Sequence, residues 1–349
     1  MKRAIALILA LVVTACGTTP APTGPAASAG AAPSAAAATA APVVLSGEIT
    51  LYTAAPANLA PELAKQFTAK TGVKVNLFQG DTGAILAKLE AEKARPQADV
   101  LVLADWAAGL QMSKDGALLP YLSPEAATVP AQFQDPGKAF VAQGMSAVSI
   151  VYNTDKVTTP PTDWDDLLRP EWKDKLTMPD PAASGSAYDF VSTLIQQRGD
   201  DAGWRFFTGL KANGIVVPGT NAQAQTPVTA GSKWAVVGAV DHTTYDAIDR
   251  GEKLKIVYPA SGTVLAPRPL VILKTAQNPN AAKAFVDFVL SKEGQQAVAQ
   301  QWVVPARSDV PVREKRTAVS AIKIWSNDYT VGAARRAEIV NRFTTQITK

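Results

Sequence analysis

The chain has 349 residues, is 47% hydrophobic, and carries a formal charge of +4 on 34 basic and 30 acidic side chains. So slight a balance is no footprint for nucleic acid, whose binders gather Lys and Arg on one face. One cysteine and one histidine exclude an internal disulfide framework, thiolate metal centres and most triad or metal-hydrolase schemes.

The first element in chain order is an export leader over residues 1–15. Lys2-Arg3 supplies a positive start, Ala4 to Val13 a short apolar run, and Val13-Thr14-Ala15 small residues ahead of Cys16. The run falls well short of the roughly 20 apolar residues that cross a hydrocarbon core, so it reads as a signal peptide. This start resembles bacterial lipoproteins, in which the cut falls before the cysteine and its thiol takes a diacylglycerol. The resemblance implies a lipid on Cys16 and anchoring to the outer face of a membrane, in the periplasm or at the cell surface. Losing Lys2 and Arg3 with the leader lowers the net charge further.

Residues 16–44 are almost entirely Ala, Pro, Thr, Ser and Gly, without charge. Such a segment cannot bury enough apolar surface to offset its ordering entropy, so a disordered tether is expected. Random-coil scaling gives it a reach of about 28 Å.

The body from Leu45 onward is longer than one core usually organises, which predicts two lobes. Glu48 to Tyr52 reads as a strand, Asn58 to Thr71 as an amphipathic helix ending at Gly72, and Val73 to Leu77 as a second strand. A helix over 82–93, a buried-type strand over 98–103 and a helix over 106–114 follow. This βαβαβ order implies a largely parallel sheet with right-handed crossovers, whose ligands sit beyond the strand carboxyl ends. A second α/β block begins near Val148, with Thr162 and Asp165 as a capping box, a short strand over 175–178, a helix over 186–197 and a strand over 234–240. The chain then returns to the first lobe around 258–288, and its last 40 residues read as helices packed on the outside. The expected division is 45–147 plus 258–305 for lobe 1, and 148–257 plus 306–349 for lobe 2 with the C-terminal helices.

Segments running nearly end to end resemble the periplasmic substrate-binding proteins of ABC importers, in the branch of ferric-ion, 2-aminoethylphosphonate and sugar-phosphate binders. They include Thr71-Gly72-Val73-Lys74-Val75, Pro96-Gln97-Ala98-Asp99-Val100, Tyr152-Asn153-Thr154-Asp155-Lys156-Val157, Asp180-Pro181-Ala182-Ala183-Ser184-Gly185-Ser186 and Ala284-Phe285-Val286-Asp287-Phe288. The resemblance implies an α/β fold of two lobes (periplasmic-binding-protein type II) with mixed, mostly parallel sheets and hinge crossovers. It further implies closure on one small solute, no catalysis, no cofactor, action as a monomer, and delivery to a membrane permease.

Four segments bear on the ligand. Ser184-Gly185-Ser186 precedes a helix, so its N–H groups and hydroxyls form a ready anion site; in the family this segment grips phosphate, phosphonate or a synergistic anion, and Asn221 matches an asparagine that helps. Asp81-Thr82 starts another helix, where Asp81 can cap and Thr82 can offer a hydroxyl from the first lobe. Asp241-His242-Thr243-Thr244-Tyr245 follows a buried strand and stands where ferric relatives carry the tyrosine pair that holds iron, both tyrosines being absent here; an Asp-His pair at this position resembles the sugar-phosphate branch. Tyr258 to Thr263 departs from that branch, with Ser261 where an acidic residue often stands. Thr53 and Asp105 complete the candidate ligand set, with Trp106 as a wall residue. The main expectation is an organophosphate or phosphonate. Ferric iron on Asp105, Asp241 and Tyr245 is the alternative, since a ferric site needs converging hard oxygens. A hydrolase using Ser184 or Ser186 with His242 and Asp241, or a structural surface lipoprotein, are remote alternatives.

Overall fold

The computed structural model describes residues 45–349; the leader, Cys16 and the tether lie outside the described residues. The chain order is β1 (Glu48–Thr53), α1 (Leu59–Thr71), β2 (Lys74–Gln79), α2 (Thr82–Ala91), β3 (Val100–Val102), α3 (Trp106–Lys114) and β4 (Val141–Asn153). There follow β5 (Leu176–Thr177), α4 (Gly185–Arg198), α5 (Asp200–Ala212), α6 (Asn221–Thr229), β6 (Ala235–Val240), α7 (Asp241–Asp249) and β7 (Leu254–Val257). The last elements are β8 (Leu265–Ile272), α8 (Pro279–Leu290), α9 (Lys292–Gln300), β9 (Val304–Pro305) and α10 (Tyr329–Phe343). Among the described residues no helix is long and apolar enough to cross a membrane.

The elements read from periodicity in the first hundred residues form where expected. Helix α1 buries Leu59, Leu63 and Phe67 at four-residue spacing and ends at Gly72 in a left-handed conformation, as an amphipathic helix with a glycine stop should. Strands β2, β1 and β3 pair in parallel, and the apolar triplet of β3 is fully buried. Beyond β3 the sheet is mixed: β8 runs antiparallel to β3 and to β4, and β4 runs antiparallel to β6, β7 and β9, while β5 and β6 are parallel.

Strand β4 is the largest departure from the sequence expectation. The strand that carries Val148 starts earlier than expected, at Val141, and runs thirteen residues, all buried. Its first half pairs with β8 and its second half with β6 and β7, so one strand serves both halves of the molecule. A strand buried on both faces shows no alternation, which is why its start could not be placed by pattern.

Three hydrophobic clusters lie along this spine; the smallest gathers Val151, Val228 and Val236, and each of the two large ones marks a lobe. The first gathers Leu51, Phe67, Leu101, Phe140, Leu270 and Phe285 with their neighbours. The second gathers Trp164, Tyr188, Phe190, Phe207, Val237 and Phe343. The segment after Pro305 does not join the second lobe at once, because Val312, Val319 and Ile324 pack on the first core. The second core is reached by Trp325, which packs on it, and by α10 and the turn after it, through Ile339, Phe343 and Ile347. Nor is α10 merely an outer layer: the Tyr188 hydroxyl donates to the Gly332 carbonyl, and the Arg336 Nε donates to Asp105 at 2.8 Å, tying α10 to α4 and α3. The capping box after Pro161 is shifted by one residue, to Asp163 and Asp166 around a 3₁₀ turn Trp164–Leu168. Trp164 sets that register, being fully buried with its Nε1 donating to Gly262 O at 2.9 Å.

Candidate ligand-binding crevice

The carboxyl ends of β1 and β3 in the first lobe face the amino ends of α4, α6 and α7 in the second, the place where open α/β sheets hold ligands. The lobes touch there. The Gly83 N–H donates to the Ala183 carbonyl at 3.1 Å. A Cβ on Gly83 would stand 2.6 Å from Ala182 O, and one on Gly185 2.7 Å from the Ala104 carbonyl carbon. Both approaches need a residue with no side chain.

The first polar pole is the amino end of α4. Ser184 is its N-cap, the Oγ accepting from the Ala187 N–H at 3.3 Å. Asn221 Nδ2 donates to Ser184 Oγ at 2.7 Å and to Ser186 Oγ at 3.3 Å, while Asn221 Oδ1 is buried without a partner. The predicted trio Ser184, Ser186 and Asn221 is thus brought together, and the N–H groups of Gly185 and Ser186, in the first turn, take no partner within the helix. Asp189 lies one turn further, and burial first and the Asp105 charge second hold its carboxyl well above the usual range.

Other predicted residues serve the frame. Thr82 is fully buried, and its Oγ1 accepts from the Ala104 N–H at 3.0 Å, so its hydroxyl fastens α2 to the end of β3. Asp81 occupies the N-cap position without a side-chain cap bond. Thr53 Oγ1 accepts from the Ala55 N–H at 3.0 Å. Asp105 caps α3 through Oδ1, 3.0 Å from the Ala108 N–H, and gives Oδ2 to Arg336. Trp106 packs edge-on against Phe140, ring centroids 4.8 Å apart. Ser261 lies outside the crevice, its N–H and hydroxyl both donating to Asp163.

The second pole is assembled from distant parts of the chain. Asp241 is fully buried; its Oδ2 accepts from Arg316 Nη2 and from the Tyr258 hydroxyl at 3.0 Å, and its Oδ1 has no partner. Burial raises the Asp241 carboxyl and the Arg316 guanidinium opposes the shift. The Tyr245 hydroxyl is 3.2 Å from Tyr258 and donates to Thr317 Oγ1 at 2.9 Å, and its ring stacks on Trp302. His242 Nδ1 is 2.9 Å from Ser146 Oγ, and burial first, then Arg268 and Arg316, holds its ring well below the usual value. The ring is therefore neutral at pH 7. His242 is bonded to Ser146, and the hydroxyls of Ser184 and Ser186 are bonded to each other and to Asn221, not to the ring as a hydrolase would require. Asp105 is engaged by Arg336 and Asp241 by Arg316, and among the described residues no group of three or more His, Cys, Asp or Glu could hold a metal.

Sequence reasoning missed Arg268, Arg316, Arg336 and Ser146. A signal existed only for Arg268, the one charge in the buried strand β8. Outside this inner zone a cavity of about 620 Å³ opens between the lobes, lined by Pro56, Asn58 and Gln301 from the first and Gln225, His242 and Thr243 from the second. His242 is the predicted residue that faces it.

Residues 95–330 match the family model described as bacterial extracellular solute-binding protein. A Salmonella paratyphi A protein with the provisional name 2-aminoethylphosphonate-binding periplasmic protein is 26% identical over 75% of this chain and 80% of its own length. Iron uptake protein A1 of Synechocystis sp. is also 26% identical, over 79% of this chain and 80% of that one. The periplasmic binding protein AfuA from Actinobacillus pleuropneumoniae, solved with fructose-6-phosphate bound, superposes with a TM-score of 0.81 at 27% identity, covering 86% of this chain and 98% of AfuA.

Proposed function

The chain belongs to the bacterial extracellular solute-binding proteins, exported binding proteins of ABC importers and not enzymes, and on that premise we propose that its solute is a small phosphate- or phosphonate-bearing compound. The observation that carries this reading is the convergence of Ser184, Ser186 and Asn221 on the amino end of α4, directly opposite the end of β3. Two hydroxyls, one amide and first-turn N–H groups at the positive end of a helix dipole suit a phosphoryl group. The names of the Salmonella relative and of the AfuA complex support the same chemistry. Binding from one lobe and contact with the other make the ligand a bridge that favours the arrangement in which both lobes touch it. In this proposal the protein works as a monomer, a lipid on Cys16 keeps it at the outer face of the membrane, and the tether lets it reach its permease.

Thermal unfolding of the full chain in detergent, against orthophosphate, hexose phosphates, 2-aminoethylphosphonate and ferric citrate, tests the reading. A compound at 100 times its dissociation constant adds about 2.7 kcal/mol. A raised midpoint with a phosphorylated compound, lost in Ser186→Ala, is expected; a rise with ferric citrate alone overturns it in favour of iron.

A further inference from the structure

The anion site at α4 leaves the second pole without a role, and that pole has an excess of positive charge. Arg268 stands on β8, 4% exposed. Its Nη1 donates to the Ala54 carbonyl at 2.8 Å, its Nε has no partner, and among the described residues no carboxylate pairs with it. Burial pushes this guanidinium down to about 10, with the Asp241 carboxylate opposing. Asp241 is already paired with Arg316, whose side chain is completely buried. With His242 neutral, two guanidinium groups face one carboxylate. A buried charge without a counter-charge is costly, and an orphaned polar atom in a native interior calls for an explanation. Here there are two of opposite kind: Arg268 Nε, a donor, and Asp241 Oδ1, an acceptor. Ala54 also belongs to the loop that carries Pro56 and Asn58 into the cavity wall, which sets Arg268 behind the crevice mouth.

We propose that Arg268 and Asp241 form a second ligand-binding pole that takes an acidic group on the solute together with a hydroxyl beside it. The solute is then acidic at both ends, with hydroxylated carbons between: phosphoryl on α4, carboxylate or second phosphate on Arg268. This rests on the phosphate reading of α4. An ammonium tail, as on an aminoalkylphosphonate, would meet two guanidinium groups and only one carboxylate, so it is disfavoured. The free Oδ1 of Asp241 accepts equally well from a neutral hydroxyl.

Titration calorimetry on the full chain in detergent distinguishes the arms. Glycerol 3-phosphate offers one acidic group, 3-phosphoglycerate adds a carboxylate, fructose 1,6-bisphosphate adds a phosphate, and 2-aminoethylphosphonate adds an ammonium. At least one of the two-acid compounds should bind tenfold or more tighter than glycerol 3-phosphate, and 2-aminoethylphosphonate weakest of all. Arg268→Gln should bring the two-acid to one-acid ratio near one, with Arg268→Lys keeping part of it. If the ratio is already near one in the unaltered protein, or 2-aminoethylphosphonate binds tightest, the second pole is overturned and the α4 site stands. If Arg268→Gln weakens all four compounds by the same factor, Arg268 is a frame residue and the proposal fails. If no phosphorylated compound binds, the reading of α4 falls first and the second pole with it.

Discussion

The two poles of the crevice differ in how the chain builds them. The α4 pole is local: Ser184 and Ser186 are two residues apart on one helix start, and Asn221 alone comes from elsewhere. It is neutral, and its polar atoms largely satisfy one another. The Asp241 pole draws on β4, α7, β8 and the segment before α10 through Ser146, His242, Arg268 and Arg316. It is charged and partly unsatisfied. A cap made of neighbours is easily kept without ligand, whereas a buried charge cluster is held only by an over-determined frame.

That contrast gives the largest expected effect to Arg316. Arg316→Met leaves the buried Asp241 without its cation and should destabilise the protein by about 3–5 kcal/mol, read as a lower urea midpoint; the double variant with Asp241→Asn should recover most of the loss. An Arg316→Met protein as stable as the parent would break the distinction between the poles. Next comes Gly185→Ala. Its Cβ collides with the Ala104 backbone across the crevice, so affinity for the phosphorylated solute should fall more than tenfold while the midpoint without ligand moves little. Ser184→Ala removes a cap at about 1 kcal/mol and also takes an acceptor from Asn221, so a loss in both stability and affinity is expected.

The subtlest effect is in pH. The folded ring of His242 has its pKa held below the value of about 6.5 it takes in the unfolded chain. Below about pH 6.5 the unfolded state therefore binds the extra proton, and the stability this group contributes, fully present above that pH, is lost as pH falls. The thermal midpoint should drop between pH 7 and pH 5, less steeply in His242→Gln.

The same local and distant difference decides what could be read in advance. Helix α3 begins and ends where its sequence says, because Trp106 to Lys114 carries its own cap in Asp105. Ser184 and Ser186 were legible since helix starts announce themselves in short motifs, whereas Asn221 was named only through the family resemblance. Thr82 and Asp105 were recognised as crevice residues, and what the sequence did not show is that their side chains hold the frame. Thr82 is engaged by Ala104 and Asp105 by Arg336, a partner 231 residues away. Arg316 lies 75 residues from Asp241, in a segment without regular periodicity, so nothing in the order of residues joins them. Mixed sheets were implied by the resemblance, but which strands run antiparallel was hidden from periodicity for a related reason. Direction is set by where β8 returns, and β8 finds its place by pairing with β3 and β4.

Solution scattering on the full chain in matched detergent, with and without a saturating phosphorylated solute, is the most direct test of a solute gripped between both lobes. A smaller radius of gyration on binding is expected in the unaltered protein, with no change in Gly185→Ala at a solute concentration just sufficient to saturate the unaltered protein. Tight binding with the same contraction in Gly185→Ala would contradict this, because the lobes would then close without the contact between Gly185 and the end of β3.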